Sequence, residues 1–137
     1  MPIKNYTTKV DASKTVGEIQ QMLAQHGAKQ IMLDYSDGKI TCICFTLQTA
    51  NGIQGVRLPA APDKVLLVLQ AQKCKCDYAQ AERVAWRILK DWLDAQLAIL
   101  ETEMVTIDQV MLPYFVTKSG DTVYELYQNN QLLLEVK

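Results

Sequence analysis

A chain of 137 residues is long enough to bury a hydrophobic core without disulfides or metal ions to hold it together. Hydrophobic residues make up 49% of the chain and charged residues 21%, which excludes the polar composition of a disordered protein. We therefore predict a single domain over residues 1–137. The formal net charge is −1, so the chain as a whole has no field that attracts nucleic acid or an anionic membrane. Any anion site has to be local.

The N-terminal sequence MPIKNYTTKV has neither the apolar core of a signal peptide nor the Arg-rich pattern of a transit peptide. No run of residues approaches the roughly 18 consecutive apolar residues that a membrane span needs. These features predict a cytoplasmic protein without a membrane partner. In the reducing cytosol we expect the cysteine pairs Cys42/Cys44 and Cys74/Cys76 to remain free thiols.

The chain is predicted to open with a strand and a helix. Residues 1–10 have a strand-like pattern, and Thr15-Val16-Gly17-Glu18 has the spacing of a capping box that would start a helix over about 16–26. Gly27 stands where a left-handed residue would end that helix. His26, the single histidine, precedes this glycine, and we interpret it as a C-terminal cap in preference to a catalytic base.

Three β-rich stretches follow and predict an antiparallel meander. They cover residues 29–35, 39–48 and 53–58. The breaks Ser36-Asp37-Gly38 and Ala50-Asn51-Gly52 carry the residues of hairpin turns. A three-residue loop at the first break, with Gly38 left-handed, would send Ile31 and Leu33 to the same face of the sheet.

The alternation of apolar residues divides this sheet into a core face and a half-polar face. A two-residue turn at Asn51-Gly52 would pair Leu47 with Val56 and Phe45 with Leu58. The predicted core face consists of Ile43, Phe45, Leu47, Val56 and Leu58. The opposite face carries Met32, Asp34, Ile40, Cys42, Cys44, Thr46 and Arg57, a mixture too apolar for free water and too polar for a core, and we expect this face to be covered.

Two helices are predicted next. The first runs from Pro62 to about Gln72, and the second from an Asp77 N-cap to about Glu103. The long helix has one apolar stripe of Ala81, Ala85, Ile88, Trp92, Ala95 and Ile99, and a second of Trp86, Leu89, Leu93 and Leu100. Because a surface helix needs a narrower apolar face, we expect one stripe to pack on the sheet and the other on a helix or a second subunit. Homo-oligomerisation is therefore predicted.

The fold class that results is α+β: an antiparallel β-meander with an N-terminal strand and helix, packed against a long amphipathic helix in the C-terminal half. After Pro113 the sequence predicts a loop, a turn at residues 119–121 and an amphipathic segment. Whether residues 122–137 are helix or strand is left open.

The long helix also carries a basic stripe, formed by Arg83, Arg87 and Lys90. Their spacing would let three cations meet phosphates or carboxylates. Asp94 and Glu101 continue the same stripe, so a solvated face with ion pairs is the alternative interpretation.

Arg57 is the other cation that the sequence singles out. It is predicted to lie mid-strand opposite Thr46, where its guanidinium could bind a phosphate or carboxylate with two hydrogen bonds. A salt bridge to Asp34 is the alternative. The candidate ligand-binding residues are thus Arg57, Arg83, Arg87 and Lys90.

The sequence offers little support for metal, cofactor or catalytic chemistry. The two C-x-C pairs could supply four thiolates, but structural zinc sites usually place two to four residues between cysteines, and Cys42 and Cys44 are predicted on a strand. The chain has no G-x-S-x-G, Gly-rich phosphate loop or H-E-x-x-H. We therefore predict no metal ligands, no cofactor and no catalytic residues, and favour a protein that is not an enzyme.

Several segments carry a resemblance to known proteins. MPIKNYTTKV, EIQQML, HGAKQIM, the helix AERVAWRILKDWLDAQLAILE and LPYF together resemble a small, functionally uncharacterised protein family from bacteriophages and prophages of Firmicutes. The resemblance covers most of the chain. It implies a phage-linked setting in the cytoplasm of a bacterial host cell, and it supplies no catalytic or binding residues.

Three functions are compatible with these observations. The first is a phage accessory protein, with anti-defence among its roles, that sequesters a small anionic, nucleotide-type ligand as a homo-oligomer through the four candidate cations. The second is a nucleic-acid-binding accessory of phage replication or recombination that presents the basic stripe to a backbone. The third is a protein–protein inhibitor of a host defence component that uses the exposed side of the long helix.

Overall fold

The computed structural model describes residues 2–130, and the α+β fold class is confirmed. Helix α1 precedes a three-stranded antiparallel sheet of order β1-β2-β3, and the remaining helices follow it. The elements are α1 (Ala12–Gln25), β1 (Ile31–Ser36), β2 (Lys39–Thr49), β3 (Gly52–Pro59), α2 (Pro62–Ala71), α3 (Tyr78–Glu101), α4 (Ile107–Met111), a 3-10 turn (Leu112–Tyr114) and α5 (Val123–Gln128). Among these helices none is long and apolar enough to cross a membrane.

The N-terminal segment is not a strand, so that prediction is wrong. Its backbone instead bonds to side chains of the helical region. The Ile3 N–H donates to Oε1 of Gln72 at 2.7 Å, and Nε2 of Gln80 donates to the carbonyls of Tyr6 and Thr8 at 3.0 and 2.9 Å. These side-chain partners satisfy backbone groups that a sheet would otherwise satisfy.

Helix α1 begins a turn earlier than predicted, at Ala12, and the predicted capping box is wrong. Thr15 is buried within the helix, and its N–H donates to the carbonyl of Asp11 at 3.1 Å. The end of the helix is as predicted. Gly27 has φ +97°, and Nδ1 of His26 lies 2.8 Å from the carbonyl oxygen of Met22.

The turns of the meander differ from the predicted turns, yet the core face is confirmed. The first hairpin has a two-residue turn in which Asp37 and Gly38 both have positive φ, together with an irregularity between Asp34 and Tyr35. That irregularity restores the predicted side-chain orientation of β1. Ile31 and Leu33 accordingly pair with core-face residues of β2 and pack against the core.

The second hairpin is shifted by two residues from the predicted register. Phe45 pairs with Val56, and Ala50-Asn51 forms the turn. The Thr49 hydroxyl closes this turn, donating to the Gly52 carbonyl at 2.7 Å and accepting from the Asn51 N–H at 3.1 Å. Because side chains alternate with a period of two, a two-residue shift leaves every residue on its predicted face.

Helix α3 lies between two layers of the molecule. Its N-cap is Asp77, as predicted, whose carboxylate accepts from the Gln80 N–H at 2.9 Å. One side contributes Trp86, Leu93 and Leu97 to a core cluster shared with α1 and the sheet. Another side packs on α2, where Ala81 and Val84 contact Leu69. Both apolar sides therefore have partners within the same chain, so their width does not require a second subunit, and homo-oligomerisation stays a prediction.

The C-terminal part contains two helix starts that the sequence analysis missed. Thr106 with Gln109, and Thr122 with Glu125, form complete capping boxes at the starts of α4 and α5. Between them, Phe115 bridges to Val56 of β3. The segment left open is thus helical over Val123–Gln128, while 131–137 lie outside the described residues.

Trp86 provides a test of the core around α3. Its side chain is fully buried, and its Nε1 has no hydrogen-bond partner within the described part of the chain. Trp86→Ala should lower the free energy of unfolding by about 3–5 kcal/mol, because it removes a large buried ring. Trp86→Phe should cost markedly less, since it keeps an aromatic ring and removes the unsatisfied N–H. Urea denaturation followed by circular dichroism measures both, and equal losses would contradict this packing.

His26 provides a test of the contact between the ends of α1 and α3. The Met22 carbonyl and the Glu101 carboxylate, 2.8 Å from Nε2, raise the pKa of His26 above its ordinary value of 6.5. This contribution to stability is fully present below pH 6.5 and is lost as the pH rises through the higher folded-state pKa. We expect a loss of about 0.5 kcal/mol or less, as for other exposed ion pairs.

The measurement is chemical denaturation between pH 6 and pH 9, comparing the wild type with His26→Gln. The variant should lack this part of the pH dependence. An identical slope in both proteins would show that the imidazole does not contribute.

Candidate functional site

The four predicted ligand-binding cations do not form one cluster. Arg87 and Lys90 both pair with Glu18 of α1, at 3.1 and 3.5 Å. Burial alone would raise the pKa of Glu18, but its hydrogen bond and attraction to Arg87, with the charge of Lys90, outweigh this and lower the pKa. Arg87 and Lys90 therefore form ion pairs, as the alternative interpretation of the basic stripe proposed. These ion pairs connect α3 to α1.

Arg57 lies apart from the helix cations. It is opposite Cys44 on β2, where the sequence analysis expected Thr46. Its Nη1 donates to the Gly120 carbonyl at 3.1 Å and lies 3.7 Å from the Glu125 carboxylate, so Glu125 takes the place of Asp34, the partner in the alternative interpretation. Hydrogen bonds from Thr122, with the Arg57 charge, lower the pKa of Glu125. Arg57 therefore fastens the start of α5 to the sheet.

Arg83 lies in a different environment, at the edge of a wide cleft of about 780 Å³. We call this the basic cleft. Three parts of the chain form it: the N-terminal segment, the link between α2 and α3, and the first turns of α3. Its lining residues are Tyr6, Thr7, Lys9, Lys73, Cys74, Lys75, Cys76, Asp77, Gln80 and Arg83.

Gln80 holds these parts of the basic cleft together. Its Nε2 donates to the carbonyls of Tyr6 and Thr8, which fixes the N-terminal segment across α3. Its Oε1 accepts from Nε and Nη2 of Arg83 at 2.9 and 2.6 Å. A neutral amide thus orients the guanidinium without neutralising its charge. Among residues 2–130 the remaining N–H groups of Arg83 have no acceptor, so they can bind a ligand.

The charges around the basic cleft are strongly unbalanced. Lys9, Lys73, Lys75 and Arg83 contribute four cations, whereas Asp77 contributes one carboxylate. Over residues 2–130, none of these four cations lies within ion-pair distance of a carboxylate. The start of the 24-residue helix α3 adds its partial positive charge to the same region. The cleft therefore has a positive potential although the whole chain does not.

Of these four cations, Arg83 was predicted from the sequence as a ligand-binding residue, whereas Lys9, Lys73 and Lys75 were not. Lys73 and Lys75 stand in the motif Lys-Cys-Lys-Cys-Asp, a link between two helices. The motif did show two cations close together at a helix start. What the sequence could not show is that the N-terminal segment, which carries Lys9, lies beside this link.

A second group of reactive side chains lies on the half-polar face of the sheet. Asp34 pairs with Cys42 across β1 and β2, and its Oδ2 lies 2.9 Å from the Cys42 sulfur and 3.9 Å from that of Cys44. One ligand atom from each of the three lies within 4.8 Å of the others. Burial, with the neighbouring Asp34, raises the pKa of the Cys42 thiol to about 12. We call this the thiol–carboxylate cluster.

A second cleft, of about 310 Å³, is apolar. It lies between the end of β3 and helices α2 and α3, and no charged side chain lines it. Its walls are Leu58, Pro59, Ala60, Ala61, Val65, Ala85, Ile88, Leu89, Trp92 and Tyr114. An anionic ligand fits the basic cleft far better than this apolar one.

Comparison with known proteins adds no further constraint on the site. No protein-family model matches the chain, and neither the curated proteins nor the solved structures contain a significant match.

Proposed function

We propose that this protein binds and sequesters a small anionic ligand of nucleotide type in the basic cleft. The supporting observation is that four cations and one carboxylate line a cleft of about 780 Å³, and that within residues 2–130 none of these cations pairs with a carboxylate. The phage or prophage setting comes from the sequence resemblance, and within it sequestration of a host nucleotide signal would act against host defence.

The side chains of the basic cleft suit the parts of a nucleotide. Lys73 and Lys75 would act as mobile point charges toward phosphate oxygens, and the guanidinium of Arg83, held by Gln80, would bind phosphate with two hydrogen bonds. Tyr6 lines the cleft and the residue is 41% exposed, so its ring offers a surface on which a base could stack. The volume is within the usual range of roughly 300–1,000 Å³ for small-molecule sites.

The basic cleft is better suited to binding a ligand than to catalysing a reaction of that ligand. Neither histidine nor glutamate lines it, and its one carboxylate, Asp77, accepts a backbone hydrogen bond as the N-cap of α3. Histidine is the most usual general acid or base near neutral pH, although lysine, cysteine and tyrosine, which do line the cleft, can also transfer protons. The cleft is also built within one chain, so ligand binding does not depend on the proposed homo-oligomer.

The first test compares nucleotide binding by the wild type and two double variants. Lys73→Glu/Lys75→Glu reverses two cleft charges, while Lys64→Glu/Lys118→Glu makes the same charge change at exposed lysines outside the cleft. Since a charge-assisted hydrogen bond contributes about 1.5–3 kcal/mol, the cleft variant should bind about 100-fold more weakly. The control should remain within about twofold of the wild type.

Isothermal titration calorimetry at low salt would measure these affinities, using mononucleotides, cyclic nucleotides and cyclic dinucleotides as probes. Native mass spectrometry of the same samples would give the oligomeric state. Equal weakening in both double variants, or no binding of any nucleotide, would refute the proposal. Tight binding of an oligonucleotide that falls steeply with salt would instead favour the nucleic-acid alternative.

A further inference from the structure

We propose that Asp34, Cys42 and Cys44 bind a thiophilic divalent metal ion, with zinc as the ion that their chemistry fits best. The proposal is independent of the basic cleft, which is built from other residues. It also departs from the sequence analysis, which predicted no metal ligands because it considered the cysteines alone.

Strand geometry brings the three ligands together. Cys42 and Cys44 are two positions apart on β2, so both sulfurs project from the same face of the sheet. Asp34 is the direct cross-strand partner of Cys42, which places its carboxylate on that face as well. The irregularity after Asp34 lies just beyond this pair, at the position where the strand changes register.

The donor set suits zinc. Thiolate and carboxylate groups are both zinc ligands, and tetrahedral coordination by three protein side chains leaves a fourth position for water or another ligand. The ligand atoms all lie within 4.8 Å of one another, and to surround an ion at about 2.0–2.3 Å the wider separations would have to shorten while the 2.9 Å contact between Cys42 and Asp34 opens slightly. Cys42 and Cys44 can therefore act as zinc ligands from a strand, without the tight turn that a zinc knuckle uses.

The surroundings of the cluster also favour a metal-bound state. Two thiolates and a carboxylate around a divalent ion carry a net charge of −1. Arg57 is the cross-strand partner of Cys44 on β3 and places a cation on the same face, although its Nη1 is held by the Gly120 carbonyl and lies 3.7 Å from the Glu125 carboxylate. Cys42 is 8% exposed, whereas Cys44 and Asp34 are partly exposed, which leaves a path for an ion from solvent.

The alternative is that the Cys42 thiol only donates a hydrogen bond to Asp34 and that the cluster binds no metal. A measurement of zinc affinity distinguishes this alternative from the proposed metal site. The reduced, full-length protein would be freed of metal and titrated with zinc against a chromophoric chelator. Cobalt substitution then reports thiolate ligands through its absorption spectrum. The test variants are Cys44→Ser and Asp34→Asn, both at partly exposed positions, and Cys42→Ser is added if it folds.

The matched control is Cys74→Ser/Cys76→Ser, which removes the other C-x-C pair. We expect one zinc ion per chain in the wild type and in this control. Since loss of a residue that only supports a ligand costs about 10–100-fold in affinity, loss of the Cys44 ligand should cost roughly 100-fold or more. Asp34→Asn should cost about tenfold or more. Zinc should raise the melting temperature of the wild type but not of Cys44→Ser.

Two results would overturn the proposal. One is a zinc affinity of the wild type no higher than that of Cys44→Ser, and the other is binding that disappears in the Cys74→Ser/Cys76→Ser control. Nucleotide binding by Cys44→Ser tests the basic cleft separately, so failure of one proposal does not imply failure of the other.

Discussion

Burial of helix α3 on two sides is the constraint on which the rest of the structure depends. One side packs with α1 and the core face of the sheet around Trp86, and another packs with α2 around Leu69. Because α3 is covered on two sides, only part of its surface can make polar contacts. Arg87 and Lys90 lie on that part and form ion pairs with Glu18 of α1. The hydrophobic contacts supply most of the stability, and the ion pairs add orientation between the two helices.

The position of α3 also accounts for the basic cleft. The chain returns from α2 through a short link to the start of α3, and the N-terminal segment crosses the same place. Gln80, one turn into the helix, bonds to that segment and to Arg83. One neutral side chain thus contributes to holding the N-terminal segment, together with Gln72 and Asp91, and also orients a cation of the cleft.

The parts of the fold that could be predicted from the sequence are those with a strong local pattern. The alternation along β2 and β3 identified the core face, and it did so despite a register error because a shift of two residues preserves the alternation. Asp77 and Pro62 marked helix starts correctly. The N-terminal strand and the Thr15 capping box were wrong because tertiary contacts, through Gln80 and a buried Thr15, outweighed the local pattern.

The candidate sites were less predictable because each combines residues that lie far apart in the sequence. The basic stripe on α3 was visible in the sequence, yet two of its three cations share an ion pair with Glu18, which lies on another helix. Asp34 joins the two cysteines only through the pairing of β1 with β2. Such groupings depend on register and packing, which no spacing along the chain reveals.

Net charge is a sum over the molecule, whereas an anion site depends on a local imbalance. The chain has 14 basic and 15 acidic residues, a balance that argues against a basic protein. Within residues 2–130, however, carboxylates pair with Lys4, Arg57, Arg87 and Lys90, and leave the cations of the basic cleft without such partners. A nearly neutral protein can therefore present a concentrated positive potential at one cleft, and that potential would fall off within about a Debye length of roughly 10 Å. This range suits a small ligand that enters the cleft better than a long polyanion that spans the surface.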